Sequence, residues 1–207
     1  MFTMFPTKRN LLFYQLAKAF PKEYSSDVKA VCSAFRSVAP INDHNVFYFD
    51  HTTEWQLTSG ESITVPYRIC VKDELALLCK LTDTQELIYH CVGSRNPNGY
   101  VRQKHIEALL STDLPEWVLP YIIKICDEYI IEILETVYQR LQGRNCEVYK
   151  TLCRLNLDYI KLGHSRMISY WNEFYRWDCY RYSDYIGKKL YSECFGYRKT
   201  GQKTIQF

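Results

Sequence analysis

The sequence predicts a mostly α-helical protein in which a small N-terminal region, with helices and a short β-hairpin, precedes a helical stack. Three observations lead to this fold class. From Thr82 onward, apolar residues recur every three or four positions, as on one face of an α-helix. Strict alternation of apolar and polar residues, typical of a strand, is confined to residues 63–71. The 207 residues, of which 47% are hydrophobic, are enough to bury a core without disulfide bonds.

Region 1–80 is predicted to begin with two helices. The first covers Lys8 to Phe20, where Leu12, Leu16 and Ala19 share one side and Pro21 follows. In the second, four apolar residues recur at positions i, i+3, i+4 and i+7 before Pro40 ends the pattern. These four residues are Val28, Val31, Cys32 and Phe35.

A β-hairpin is predicted to follow these helices. The alternating residues 63–71 form one strand, and Thr58 to Glu61 reads as the turn before it. Glu54–Leu57 or Val46–Phe49 are candidate partner strands. Pro66 cannot donate a backbone hydrogen bond to a ladder, so we expect this strand at a sheet edge.

Region 81–207 is predicted to be a helical domain that forms one compact unit with region 1–80. Thr82 and Gln85 match a capping box at the start of its first helix. Residues 96–99 are predicted to form a turn, and the helix that follows begins with Gly99-Tyr100-Val101-Arg102. Leu114 to Ile125 is expected to form the next helix, and Asp127 is expected to cap the one after that.

Further along, five apolar residues at three- and four-residue steps predict one continuous helical stripe. They are Val148, Leu152, Leu155, Tyr159 and Leu162. Ser165 is then expected to cap a helix that runs to Arg181, and Asp184 to cap one that runs to Cys194.

A repeat links two of the predicted helices. Val101-Arg102 corresponds to Ile131-Glu132 about one helical hairpin later, with Pro120 and Asp127 at characteristic places between them. This pattern, over residues 84–141, resembles a HEAT-type repeat, and the resemblance implies a stack of helix pairs. Glu132 replaces the basic residue common in HEAT repeats, and the spacing is short, which implies a compact, degenerate stack.

A wider resemblance covers residues 59–69, 85–91 and 99–103. These segments are similar to an uncharacterised bacterial family with a HEAT-like (ARM-type) core. The resemblance implies a bacterial, cytosolic, helical protein. It supplies no catalytic residue.

The C-terminal stretch combines aromatic with basic side chains, and residues 144–207 hold 12 Lys and Arg against 6 Asp and Glu. Core packing accounts for most aromatic stripes, and helical spacing puts Tyr170, Phe174 and Trp177 on one face and Trp171 and Tyr175 on another. The alternative is a binding surface on which rings stack. Its candidate residues are Arg166, Trp171, Tyr175, Arg176, Trp177, Arg181, Lys188 and Lys189. Convergence of these charges beside an exposed Trp171 or Trp177 favours nucleic acid, whereas scattered charges with buried rings favour a protein-binding stack.

Arg102 is predicted to be a structural ion-pair partner of a carboxylate such as Glu61, Glu107 or Asp127. The alternative is a clamp for an anionic ligand. A deep pocket that combines Arg68, Arg102 and a histidine would favour an enzyme acting on a small anionic substrate.

Catalytic and metal-binding signatures are missing from the sequence. No phosphate-binding glycine loop or nucleophile elbow occurs. His90 and Cys91 are neighbours and point about 100° apart on a helix, so Cys91 is expected to be a core thiol. His44, Asp50 and His51, like Cys146 and Cys153, match no standard ligand set. We therefore expect no cofactor or metal.

The nine cysteines are odd in number and irregular in spacing, which favours reduced, mostly buried thiols. The longest apolar run, Trp117 to Ile123, is too short to span a bilayer, and we place the protein in the cytoplasm with no membrane partner. The favoured function is a non-catalytic module that binds another protein. Nucleic-acid binding is the alternative, an enzyme is less supported, and the oligomeric state is left open.

Overall fold

The computed structural model describes residues 16–38, 51–71, 78 and 80–198. The protein is mostly helical and contains a small two-stranded antiparallel sheet. The chain divides into two compact units, residues 1–125 and residues 126–207. No helix within the described part of the chain is both long and apolar enough to cross a membrane.

Four α-helices of unit 1 lie wholly within the described residues. They are α1 (Ser25–Val38), α2 (Asp83–Gly93), α3 (Gly99–Leu110) and α4 (Leu119–Ile125), with 3-10 turns at Lys22–Tyr24 and Glu116–Val118. α1 packs on α2, and α2 packs on α3. The four apolar residues that predicted α1 are all buried, which confirms that helix. In the first predicted helix, Leu16 and Ala19 are buried, and Lys8 to Gln15 lie outside the described residues.

Local signals correctly predicted where α2 and α3 begin. The Thr82 hydroxyl accepts a hydrogen bond from the Gln85 backbone N–H, and the Gln85 side chain accepts one from the Thr82 backbone, completing the capping box. The Asn98 side chain caps α3 by accepting from the Tyr100 N–H at 3.0 Å.

The sheet pairs β1 (Thr52–Gln56) with β2 (Ser62–Pro66). Gly60 has a φ of 87° in the connecting turn, a conformation that favours glycine. The predicted strand was longer, since its alternating pattern continued to Val71. The paired residues end at Thr52 and Pro66, and the Tyr67 N–H still donates to the carbonyl of His51. The Ile69 N–H donates to the carbonyl of Arg95 instead of to the first strand. Val46–Phe49 lies outside the described residues.

The division after Ile125 differs from the boundary that the sequence placed at residue 80. Helices on both sides of residue 80 pack together, since α1 contacts α2 and the Gln85 side chain donates to Asp27 Oδ1 at 2.9 Å. Near residue 80 the spacing of apolar residues changes from the strand pattern to the helical pattern. The contacts between α1 and α2 nevertheless join the residues before this point to those after it.

Unit 2 contains α5 (Ile131–Leu141), α6 (Glu147–Leu155), α7 (Leu157–Tyr170) and the short α8 (Ile186–Lys189). π-helical turns at Trp171–Tyr175 and Leu190–Cys194 extend α7 and α8, and a 3-10 turn covers Tyr182–Asp184. Both α5 and α7 pack against α8. The buried core includes Leu134, Val137, Leu152, Ile160 and Met167.

The predicted continuous stripe from Val148 to Leu162 is wrong. Asn156, with φ −115° and ψ 38°, is not helical and separates α6 from α7. Its backbone N–H makes the last helical bond of α6, to the carbonyl of Leu152, and its side-chain amide donates to the same carbonyl at 2.8 Å. Val148, Leu155 and Leu162 are about half exposed, so they do not form one buried stripe with Leu152.

The predicted cap at Ser165 is also wrong. Ser165 lies inside α7, where its hydroxyl donates to the carbonyl of Lys161 at 2.9 Å, four residues earlier. α7 then ends at Tyr170 and gives way to the π-helical turn, so no α-helix runs on to Arg181.

The close approach of α2 and α3 depends on Gly93. A Cβ atom at this position would lie 2.3 Å from the His105 ring, far inside contact distance. His105 is 1% exposed, and its Nδ1 atom lies 2.8 Å from the Nδ1 atom of His90 on α2, so the two imidazoles share a hydrogen bond.

Replacing Gly93 by Ala should therefore destabilise the protein, by about 1–3 kcal/mol, because the added methyl group overpacks the α2–α3 contact. Urea unfolding followed by circular dichroism measures the loss. In a His105→Ala background the methyl group has room, and the additional cost of Gly93→Ala should disappear. An equal cost in both backgrounds would contradict this account of the packing.

Candidate functional site

The candidate site in unit 2 is a set of four exposed aromatic rings, Tyr129, Phe174, Trp177 and Tyr180, together with the half-buried Tyr170, and we call this set the aromatic surface. Trp177 is 92% exposed, Tyr180 76%, Phe174 52% and Tyr129 50%. The rings of Tyr129, Tyr170 and Phe174 form a triangle with centroid separations of 5.9–6.2 Å. Tyr170 is half-buried at the base of this triangle.

The two ends of the loop that carries Trp177 are joined by contacts of the Trp171 side chain. The loop begins in the π-helical turn after α7, and the indole N–H of Trp171 donates to the carbonyl of Cys179 at 2.9 Å. The Trp171 ring also packs against the Tyr182 ring at 5.1 Å. These contacts close the loop that spans residues 172–178.

Tyr175 fixes the same loop to the start of α5. Its hydroxyl donates to the carbonyl of Tyr129, and its ring stacks on the buried Tyr185 at 5.9 Å. The exposed rings of Phe174 and Trp177 therefore project from a supported backbone.

A buried carboxylate, Asp127, holds α7 in place. Asp127 is 3% exposed, and its Oδ2 atom accepts hydrogen bonds from the Tyr159 hydroxyl at 2.9 Å and from Arg166 Nη1 at 3.0 Å. We expected Asp127 to cap α5, and this was wrong. The N-cap of α5 is Ile130, which makes no side-chain capping bond.

The eight residues predicted as a binding surface differ in their exposure and in their contacts. Arg176, Trp177 and Arg181 are exposed, as a binding role requires. Trp171 and Tyr175 are half-buried anchors, and Arg166 is paired with Asp127. Lys188 and Lys189 are half-buried in α8.

Four members of the aromatic surface were not among the eight predicted binding residues, namely Tyr129, Tyr170, Phe174 and Tyr180. Tyr129 lies about forty residues before the loop, and no sequence period connects them. The only local signal is a large ring directly before the start of α5.

The charges around the aromatic surface come from α5 as well as from the loop. Burial raises the pKa of Tyr175, a backbone hydrogen bond with Ile131 opposes that rise, and the nearby carboxylates of Glu132 and Glu135 add to it. Glu173 and Asp178 are exposed on the loop itself. The surroundings thus contain these four carboxylates beside the two guanidinium groups of Arg176 and Arg181.

No family model, curated protein or solved structure matches the chain. The interpretation of this surface therefore depends on its own geometry and charge.

The thiols of the protein do not form a reactive site among the residues described. Eight cysteines are free thiols, of which six are buried, Cys179 is half-buried and Cys70 is exposed, confirming the predicted reduced and mostly buried state for these eight. Burial raises the pKa of Cys91, against a smaller lowering by Arg95. Burial also raises the pKa of Cys153 and of Cys194 to about 12, so these thiols stay protonated at neutral pH.

Metal ligands do not converge either. Within the described ranges, no three or more His, Cys, Asp or Glu side chains are placed to hold a metal ion. His44 and Asp50 lie outside those ranges, and His51 is exposed.

A shallow cleft in unit 1 lies beside His105 and is too tight to admit a water molecule. Its lining is mainly apolar and consists of Phe35, Val71, Tyr89, Gly93, Asn96, Val101 and His105. Arg68 and Arg102 do not belong to it, so the combination that would favour an anionic-substrate enzyme does not form in this cleft.

Arg102 is 2% exposed, which places it in the interior of unit 1. Its Nη1 atom donates to the carbonyl oxygens of Asn96 and Pro97, both at 2.8 Å. These bonds hold the turn between α2 and α3, and the predicted ion pair with a carboxylate stays a prediction.

Replacing Asp127 by Asn should destabilise the protein by about 1–3 kcal/mol, because Arg166 loses its charge partner while the shape of the side chain is kept. Asp158→Asn is the matched control in the same unit, since the Asp158 side chain is 98% exposed and pairs with Lys161 at the surface. Its effect should stay within about 0.5 kcal/mol. Equal urea midpoints for the two variants would show that Asp127 is not a structural centre.

Proposed function

We propose that this protein is a non-catalytic protein-interaction module, built on HEAT-like helix pairs, that binds a partner protein through the aromatic surface. The observation that carries the proposal is the 92% exposure of Trp177 on a loop whose two ends are hydrogen-bonded in place. Partner-binding energy in protein interfaces is concentrated in Trp, Tyr and Arg side chains, and this loop presents all three types.

Exposure of several large rings together supports a binding role. Single exposed apolar residues are common on protein surfaces and need no explanation, but grouped ones mark interaction sites. Phe174, Trp177 and Tyr180 lie within seven consecutive residues, and each is at least half exposed. A loop already held by Trp171 and Tyr175 also loses little conformational entropy when it binds.

The HEAT-like stack belongs to this proposal. It is supported by the packing of α2 against α3 across the short connection Ser94–Asn98, as in one helical hairpin of a repeat. The bacterial, cytoplasmic setting that we propose depends on the resemblance of residues 59–69, 85–91 and 99–103 to the bacterial family.

Nucleic-acid binding is the second candidate, and the adjacency of Arg176, Trp177 and Arg181 on one exposed loop favours it. Arg166 does not contribute, because its charge is balanced by Asp127. Carboxylates on the loop and on α5 would repel phosphate groups, so we rank this function below protein binding. An enzyme acting on a small anionic substrate is less supported than either.

Trp177→Ala should abolish capture of the partner while leaving stability unchanged. Wild type and variant are tagged, purified from cells of the source organism, and compared by mass spectrometry of the copurifying proteins. Affinity for the purified partner should fall at least tenfold, as expected for a central Trp in an interface. Tyr100→Ala is the matched control, since Tyr100 is 86% exposed but lies on α3 in unit 1.

Loss of the partner in both variants, or in neither, would contradict a role for the aromatic surface. The competing function has its own test, in which a labelled single-stranded oligonucleotide is titrated at several salt concentrations. We expect no specific binding. Binding that weakens steeply with salt and disappears in Trp177→Ala would instead establish nucleic-acid recognition.

A further inference from the structure

We infer that the aromatic surface recognises a basic segment of its partner, one in which Arg or Lys side chains stack on the exposed rings and face the surrounding carboxylates. This inference rests on the proposed function and adds the chemistry of the partner. It depends on the charges that the fold brings to the surface, which differ from those of the C-terminal sequence.

The carboxylates reach the aromatic surface from two elements. Glu132 and Glu135 are exposed on the first turns of α5, three residues apart and therefore on one side of that helix. The hydroxyl of Tyr175 bonds to the carbonyl of Tyr129, just before α5, so the loop lies against this end of the helix. Glu173 and Asp178 add two exposed carboxylates from the loop.

The opposing positive charge is smaller and partly engaged. Arg176 donates from Nη1 to the side-chain oxygen of Asn172 at 3.1 Å, which directs its guanidinium back onto its own loop. Arg181 is the second exposed cation of this segment. Four carboxylates against two guanidinium groups leave the surroundings of the rings acidic.

Exposed aromatic rings beside carboxylates suit a cationic ligand. The face of an indole or phenol ring attracts a guanidinium or ammonium group, and Trp is the best of the aromatic residues in this role. Neighbouring carboxylates then pair with the same cation, and Arg can bond a carboxylate through two N–H groups while stacking. Phosphate or an acidic peptide would meet repulsion at the same place.

A fluorescein-labelled hexa-arginine peptide tests the inference by anisotropy titration against the full chain at low salt. We expect binding that weakens about five- to tenfold in Trp177→Ala, which removes the principal ring. Binding should weaken about three- to fivefold in the double variant Glu132→Gln/Glu135→Gln, which keeps the shape and removes the charge. A hexa-glutamate peptide should not bind.

A control variant removes the same kinds of group from unit 1. Tyr100→Ala/Glu107→Gln deletes one exposed ring and one exposed carboxylate on α3, and we expect it to bind hexa-arginine as tightly as wild type. All substituted side chains are exposed, and circular dichroism verifies that each variant is folded. Equal weakening in the control would show non-specific attraction and overturn the inference.

Three other results would also overturn it. The first is no binding of hexa-arginine at millimolar concentration, and the second is binding of hexa-glutamate. The third is concentration-dependent self-association in sedimentation velocity that Trp177→Ala abolishes, since a second copy of the chain would then occupy the surface. If hexa-arginine does not bind but Trp177→Ala still loses the copurified partner, the basic specificity fails and the proposed protein-binding function stands.

Discussion

The buried Asp127 carboxylate sets the position of α7, and the aromatic surface depends on α7. Tyr159, Gly163 and Arg166 are four and three residues apart, so they share one face of α7, and this face surrounds the carboxylate. Gly163 makes the approach possible, because a Cβ atom there would lie 3.3 Å from Asp127 Cβ and 2.6 Å from the Tyr191 hydroxyl oxygen. A charge removed from water needs such partners, so the interaction allows little freedom in where α7 lies.

The loop after α7 shows how the aromatic residues divide between two roles. Trp171 and Tyr175 use their polar atoms to bond backbone carbonyls, of Cys179 and Tyr129, and their rings pack inward. Trp177 projects outward and is 92% exposed. The same amphipathic side chains thus supply both the support of the loop and its exposed face.

Sequence periodicity predicted the faces of these helices but not their environment. It correctly separated Trp171 and Tyr175 from Phe174 and Trp177, because residues three or four apart share a side. It could not determine which side is buried, since that depends on Tyr129 and Tyr185, which are distant in sequence. Capping at Thr82 was predictable because every participating group lies within four residues. The break at Asn156 was not, because a regular apolar spacing continued across it.

Composition was a poor guide to the charge of the candidate site for a related reason. Residues 144–207 are basic in total, yet Arg166 is paired with buried Asp127, Lys150 and Arg154 lie within 2.9 and 3.5 Å of Glu147, and Lys161 lies 3.1 Å from Asp158. Such pairs add little stability when exposed, but they cancel local charge. The field at a surface is set by the groups near it, and Glu132 and Glu135 come from a helix outside the basic stretch. A C-terminal region that is basic in sequence therefore presents its most exposed rings in an acidic setting.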